Sequence, residues 1–145
     1  MPAQPLAGRS SVSTIRQLIR SELNDAGAPS ALSFDCLVAV TEACTNALLH
    51  GWKEEGARSP EIEWSIEEGV ARFEIRDYAM HEATPLDRGN REPVPDDRRN
   101  DERDGGYGLK MMRQLMDEVD IRFSTTGTTV LLVKYLHPAP AKSRS

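Results

Sequence analysis

Ser30-Ala31-Leu32-Ser33-Phe34-Asp35-Cys36-Leu37-Val38-Ala39-Val40-Thr41-Glu42-Ala43-Cys44-Thr45-Asn46-Ala47-Leu48-Leu49-His50 is the stretch on which the reading of this chain turns. Apolar or small residues (Phe34, Leu37, Val38, Val40, Ala43, Ala47) surround the wheel, Ser30 stands as N-cap after Pro29, and Gly51 breaks the run, so the segment reads as a helix. A helix apolar nearly all round is expected to pack against a sheet with little of it exposed. One polar stripe interrupts it. At about 100° per residue with Glu42 at zero, Asn46 falls near ~40° and His50 near ~80°. A carboxylate and an amide on a buried helix are costly unless they are paired or bind something. The alternative is a solvated edge that satisfies a neighbouring loop. His50, in the last turn, suits a contact at the helix C-terminus.

Working outward, Val12, Ile15, Leu18, Ile19, Leu23 and Ala26 recur at helical spacing before Gly27 and predict an amphipathic helix with a glycine stop. After the central helix, Ile62, Trp64 and Ile66 alternate with polar residues, the chain turns near Glu68-Gly69, and Ala71, Phe73, Ile75 and Asp77 share one face. Tyr78 to Asp104 has no hydrophobic period, holds Pro85, Pro93 and Pro95, and reads as a long lid loop. A third helix is predicted from about Tyr107 to Glu118, with Leu109, Met112, Leu115 and Met116 inward. Val119, Ile121 and Phe123 then form a strand, and a turn at Thr126-Gly127 leads back through Thr129, Leu131, Val133 and Tyr135. The predicted fold is α+β, a two-layer sandwich. A mostly antiparallel sheet of four or five strands is covered on one face by three helices. The folded domain is expected over 12–137, with loose termini at 1–11 and 138–145.

The bulk properties fit one soluble domain: 145 residues, 39% hydrophobic and 28% charged, with a mean hydropathy of -0.51. With 18 Lys and Arg against 23 Asp and Glu, the net charge is -5, which argues against direct nucleic-acid or anionic-membrane binding. No stretch is read as a membrane span, Met1 to Ser13 lacks the apolar centre of a secretory signal, and a cytoplasmic protein is expected. Cys36 and Cys44 lie roughly 12 Å apart along one helix, too far for a disulfide, and read as core thiols of a reducing compartment.

Three further features carry chemistry. Asp77 is in phase with Phe73 and Ile75, so it points inward at a strand end; it either bonds the following backbone amides or accepts from a ligand amine. Asp104-Gly105-Gly106-Tyr107-Gly108-Leu109-Lys110 leads glycines directly into a helix, where free amides favour anions such as phosphate. It lacks the Walker A order and the strand that a dinucleotide fingerprint requires. Gly127-Thr128-Thr129 opens the last strand, with Thr129 read as inward and Thr128 as outward; a strand threonine is otherwise ordinary β-propensity.

Together, Glu42-x-x-x-Asn46-x-x-x-His50, Asp77, Gly106-x-Gly108-Leu109 and Gly127-Thr128-Thr129 resemble the four nucleotide-binding boxes of the GHKL (histidine-kinase-like) ATPase superfamily. Gly106 to Val119, with Gln114-Leu115-Met116-Asp117-Glu118-Val119, is most similar to the anti-sigma-factor serine/threonine-protein kinases. The resemblance covers most of Ser10 to Leu136. It implies ATP and Mg²⁺ as cofactors, with Asn46 as the Mg²⁺ ligand and Glu42 orienting or deprotonating the attacking hydroxyl. It further implies that Asp77 accepts from the adenine amine, that Gly106, Gly108 and Leu109 frame the phosphates, and that Thr129 supports the base. The partners it implies are a sigma factor, an anti-sigma-factor antagonist that accepts phosphate on serine, and a second copy in a homodimer. Where the family has glycines two and four residues after the adenine-binding Asp, this chain has Ala79 and His81. That departure keeps an alternative open: a nucleotide-independent binding module of the same fold, acting by stoichiometric capture.

Overall fold

The computed structural model describes residues 2–50, 58–78 and 106–136. In chain order the elements are β1 (Gln4–Pro5), α1 (Arg9–Asp25), α2 (Ser30–His50), β2 (Glu61–Glu67), β3 (Val70–Asp77), α3 (Gly106–Leu115), β4 (Glu118–Ser124) and β5 (Gly127–Tyr135). The strands form one five-stranded sheet, in the order β1-β2-β3-β5-β4, with every neighbouring pair antiparallel. With the three helices this is the α+β sandwich expected, at the larger of the two strand counts.

Alternation builds the core face of the sheet. Ile62 lies opposite Ile75, Trp64 opposite Phe73, and Phe73 opposite Leu132, all of them buried. Val12, Ile15, Ile19 and Leu23 bury one stripe of α1 against this core, while Leu18 stays 38% exposed. The helix ends in a Schellman motif. Gly27 has φ 78°, its N–H donates to Asn24 O at 3.0 Å, and the Ala28 N–H donates to Leu23 O at 3.0 Å. Met112 of α3 and Met116 just beyond its end are buried, and Leu109 and Leu115 pack beside them.

Several expectations are corrected. The N-terminus is not loose through Ser11: Gln4–Pro5 pairs with β2, Leu6 is fully buried and donates its N–H to Pro60 O at 2.8 Å, and α1 already begins at Arg9. Ser30 is not the cap of α2 but its first residue, because the Ser33 N–H donates to Pro29 O at 3.0 Å. Nor is α2 covered all round, since Phe34 and Leu49 are each 64% exposed. By length and composition alone Ser30–Leu49 is apolar enough to cross a bilayer, against expectation; in the fold Cys36, Ala39, Val40, Ala43 and Cys44 bury one side of it in the core. The turn before β5 is Thr125-Thr126, held by Ser124 Oγ, which accepts from the Thr126 N–H at 3.1 Å; Gly127 is already in the strand. The third helix stops at Leu115, and Glu118 belongs to β4. The lid segment 79–104 and the tail 138–145 lie outside the described residues, and with them Ala79 and His81.

Candidate functional site

Lys134 sets the frame of the site. It is only 7% exposed on the inner face of β5, its Nζ lies 3.2 Å from Asp35 Oδ2, and it donates to the Leu115 carbonyl. Asp35 is near the start of α2 and Leu115 is the end of α3. One helix therefore leaves this lysine and the other arrives at it, and the two pack on each other antiparallel. At 1.5 Å per residue, Asn46 lies about 16 Å along α2 from Asp35, and Gly106 lies about 14 Å back along α3 from Leu115. Along β5, Lys134 and Thr128 are about 20 Å apart. α2 lies against β3 and β5, the strand pair that carries Asp77 and Thr128.

Glu42 and Asn46 are half-buried, while Ala43, Cys44 and Ala47 beside them are buried, so the stripe is the partly open edge of an otherwise packed helix. Gly106 and Gly108 open α3. Leu109 is half-buried and seals that end of the helix to the core. Asp77 is half-buried at the last position of β3, and its Oδ1 accepts the Thr128 N–H across the strand pair at 3.2 Å. Gly127 makes this approach feasible. Its φ is +151°, and a Cβ there would sit 2.0 Å from the Asp77 carbonyl oxygen.

Register corrects the threonine. Residues directly opposite one another share a face, and Thr128 is opposite Asp77, whereas Thr129 is opposite Arg76 and Arg122 on the open face. The inward set of β5 is Thr128, Val130, Leu132 and Lys134. A buried lysine on the inner face and Leu131 and Val133 on the outer one invert the apparent alternation, so hydrophobicity alone picks the wrong phase. Counting back from Leu132 and Leu136, both buried, finds the right one.

The open face holds the same strand end from the other side. Arg76 bonds Glu61 at 3.0 Å and Glu63 at 2.9 Å, and also bonds Glu74. The Tyr78 hydroxyl donates to Glu61 Oε2 at 2.7 Å, and the Arg58 guanidinium lies 4.1 Å from the Tyr78 ring centroid. The Tyr78 hydrogen bond, aided by Arg76, holds the Glu61 carboxyl below its ordinary value. Burial pushes both Cys36 and Cys44 up to about 12, so neither thiol is a nucleophile at neutral pH, in keeping with core thiols. The Lys134 anchor and the Arg76 cluster were not foreseen. Their partners are far apart in sequence, and no local pattern signals them.

The sequence profile of the histidine kinase-like ATPase domain matches residues 6–134. The chain belongs to that family. Within it, the serine-protein kinase RsbW of Bacillus velezensis is 32% identical over 106 residues, covering 71% of this chain and 64% of that protein. The anti-sigma F factor of Bacillus subtilis is 35% identical over 103 residues, covering 70% of this chain and 68% of that protein. These relatives assign the chain to the anti-sigma-factor kinase branch of the family, and it spans just under two thirds of the RsbW kinase's length. In fold it is similar to the RsbU and RsbW domains of a Mycobacterium tuberculosis protein, with a TM-score of 0.64 at 23% identity, covering 96% of this chain and 34% of that one. A histidine kinase domain from Erythrobacter litoralis is also similar, with a TM-score of 0.54 at 22% identity, covering 86% of this chain and 61% of that one.

Proposed function

We propose that this protein is an ATP-dependent serine kinase and anti-sigma factor of the cytoplasm. It would bind Mg-ATP, capture a sigma factor and phosphorylate a serine of an antagonist protein. The observation that supports this most is the Asp77–Thr128 pair at the sheet end, in a chain that also carries the polar stripe of α2 and the glycine-led start of α3. A carboxylate held in place by a backbone amide is a preorganised acceptor for an exocyclic amine. Thr128, which shares that face, takes the base-supporting role in place of Thr129.

The donor chemistry fits Mg²⁺. Among the described residues no group of three His, Cys, Asp or Glu could cage an ion, while the half-buried Asn46 offers the single hard amide oxygen that Mg²⁺ accepts alongside phosphate and water. Bound Mg-ATP would supply the phosphoryl group and neutralise its oxygens. The chain's own part is positioning. Asp77 fixes the base, the α3 amides at Gly106 and Gly108 face the phosphates, and Glu42, one turn from Asn46, orients or accepts the proton of the attacking serine hydroxyl. Ala79 and His81, in place of the family's glycines, favour the second reading, stoichiometric capture without nucleotide.

Calorimetry with saturating Mg-ATP separates the two. Heat is expected with the parent protein, and Asn46→Ala should lose its Mg²⁺-dependent part. Glu42→Gln should keep nucleotide and partner binding while slowing serine phosphorylation by about 10²–10⁴-fold. A parent protein that gives no heat overturns the kinase and leaves the capture module.

A further inference from the structure

Asp77 is the last residue of β3, and the strands on its two sides hold it unequally. Towards β5 the ladder reaches it: Asp77 lies opposite Thr128, and its Oδ1 accepts the Thr128 N–H at 3.2 Å. That length is at the long limit of the N–H···O range, so this bond alone is a loose tether for a carboxylate. Towards β2 the ladder stops one residue short, at Glu61 opposite Arg76. The residue before Glu61 is Pro60, which has no N–H, and its carbonyl accepts the Leu6 N–H at 2.8 Å on the β1 side.

Side chains take over where that ladder ends. Tyr78, the residue after Asp77, sends its ring to the open face, where its hydroxyl donates to Glu61 Oε2 at 2.7 Å. The same oxygen accepts from Arg76 Nη2 at 3.0 Å and Nε at 3.2 Å, and the Glu61 and Arg76 side chains are only 18% and 22% exposed. The Arg58 guanidinium lies over the ring, 4.1 Å from its centroid. A tyrosine held at both ring and hydroxyl fixes the peptide that joins it to Asp77. β5 packs against that same peptide from its own side, since a Cβ on Gly127 would lie 3.0 Å from the Asp77 carbonyl carbon and 3.1 Å from the Tyr78 Cα. With the backbone gripped from two directions, the Asp77 side chain is left with the few rotamers which that backbone allows.

We infer that Tyr78 is a positioning residue for base recognition: through its hydroxyl bond to Glu61 it sets the direction of the Asp77 carboxylate, and with it the preference of the site for a 6-amino purine. The inference rests on the reading of Asp77 as the acceptor of the adenine amine. Tyr78 lies on the face of the sheet away from that carboxylate, so it acts through the backbone and not by contact with the base.

Calorimetry on the full chain compares Mg-ATP with the Mg²⁺ complex of purine riboside triphosphate, which differs from ATP only in lacking the 6-amino group. A hydrogen bond to an ionised carboxylate is worth about 10–100-fold in affinity, and the parent should favour ATP by that factor. Tyr78→Phe removes one oxygen and keeps the ring. It should weaken ATP binding about 5–10-fold and leave purine riboside triphosphate within about 2-fold of the parent. Glu61→Ala removes the acceptor instead and should cut the ATP preference as much; the double variant should cut it no further, because both changes break one bond. Arg72→Gln, exposed on the same face of β3 opposite Ser65 and Val133, should leave the preference intact. Melting temperatures show which variants are folded. A merely structural role for Tyr78 would weaken both nucleotides alike, and that result overturns the inference, as do losses that add in the double variant. A parent that favours ATP while Tyr78→Phe favours it equally overturns this inference alone. A parent that binds both nucleotides equally removes Asp77 as the acceptor and the inference with it, and one that binds neither overturns the kinase reading as well.

Discussion

Replacing Gly127 with alanine drives a methyl group into the Asp77 carbonyl oxygen. The added Cβ would lie 2.0 Å from that oxygen and 3.1 Å from the Tyr78 Cα, at a φ of +151° that alanine rarely adopts. The backbone conformation alone costs about 1–3 kcal/mol. To relieve the overlap, the end of β3 and the start of β5 must part by about 1 Å, in a core too dense to yield freely. That displacement takes the Asp77–Thr128 hydrogen bond with it, for about 0.5–1.5 kcal/mol more. The expected loss is about 1.5–4.5 kcal/mol, and at roughly 3 °C per kcal/mol for a chain of this length the melting temperature falls by about 5–14 °C. Urea unfolding measures it, as a lower midpoint with an unchanged m-value. Gly27→Ala is the control. Gly27 has φ +78° but nothing within 4 Å of a Cβ, so its cost is the conformational part alone, about 1 kcal/mol. Mg-ATP affinity should fall in Gly127→Ala and hold in Gly27→Ala, because only the first moves Asp77. If Gly127→Ala costs no more than Gly27→Ala, the close approach of β3 and β5 is not what fixes the carboxylate, and the reasoning fails.

Two predictions concern the frame around the site. Lys134→Met keeps the apolar stem but leaves the Leu115 carbonyl without its donor and the partly buried Asp35 without its cation; unfolding should show a loss of about 1–3 kcal/mol, part of which Asp35→Asn recovers in the double variant. A neutral Lys134→Met would mean that the anchor does not hold the two helices. For Glu61, the folded state holds the carboxyl below its ordinary value of 4.5, so its stabilisation is complete above about pH 4.5 and is lost as pH falls through the lowered folded value. Glu61→Gln should therefore be less stable than the parent at pH 7 and converge on it as pH falls through the lowered folded value; a stability gap that does not narrow on acidification removes the Tyr78–Glu61–Arg76 cluster from the account.

The elements were legible in the sequence because each rests on local chemistry. The three-and-four spacing in α1, the strict alternation from Ile62 to Ile75, and the glycine that closes α1 in a left-handed conformation are all facts of neighbouring residues. The stripe of Glu42 and Asn46 was legible for the same reason: two polar residues four apart on an apolar helix share a face whatever surrounds them. What tertiary structure alone decided is phase, level and edge. Lys134 reads as an outward residue until Asp35 and the end of α3 are seen to supply its partners, and with that phase the inward threonine is Thr128 and not Thr129. Residues before Arg9 carry too little pattern to announce a strand, and only the unpaired edge of β2 makes Gln4–Pro5 one. How near Asp77, Asn46 and Gly106 come to one another depends on where chain segments dozens of residues apart come to pack. Sequence spacing holds no information on that distance, because it is set by burial of the core between them.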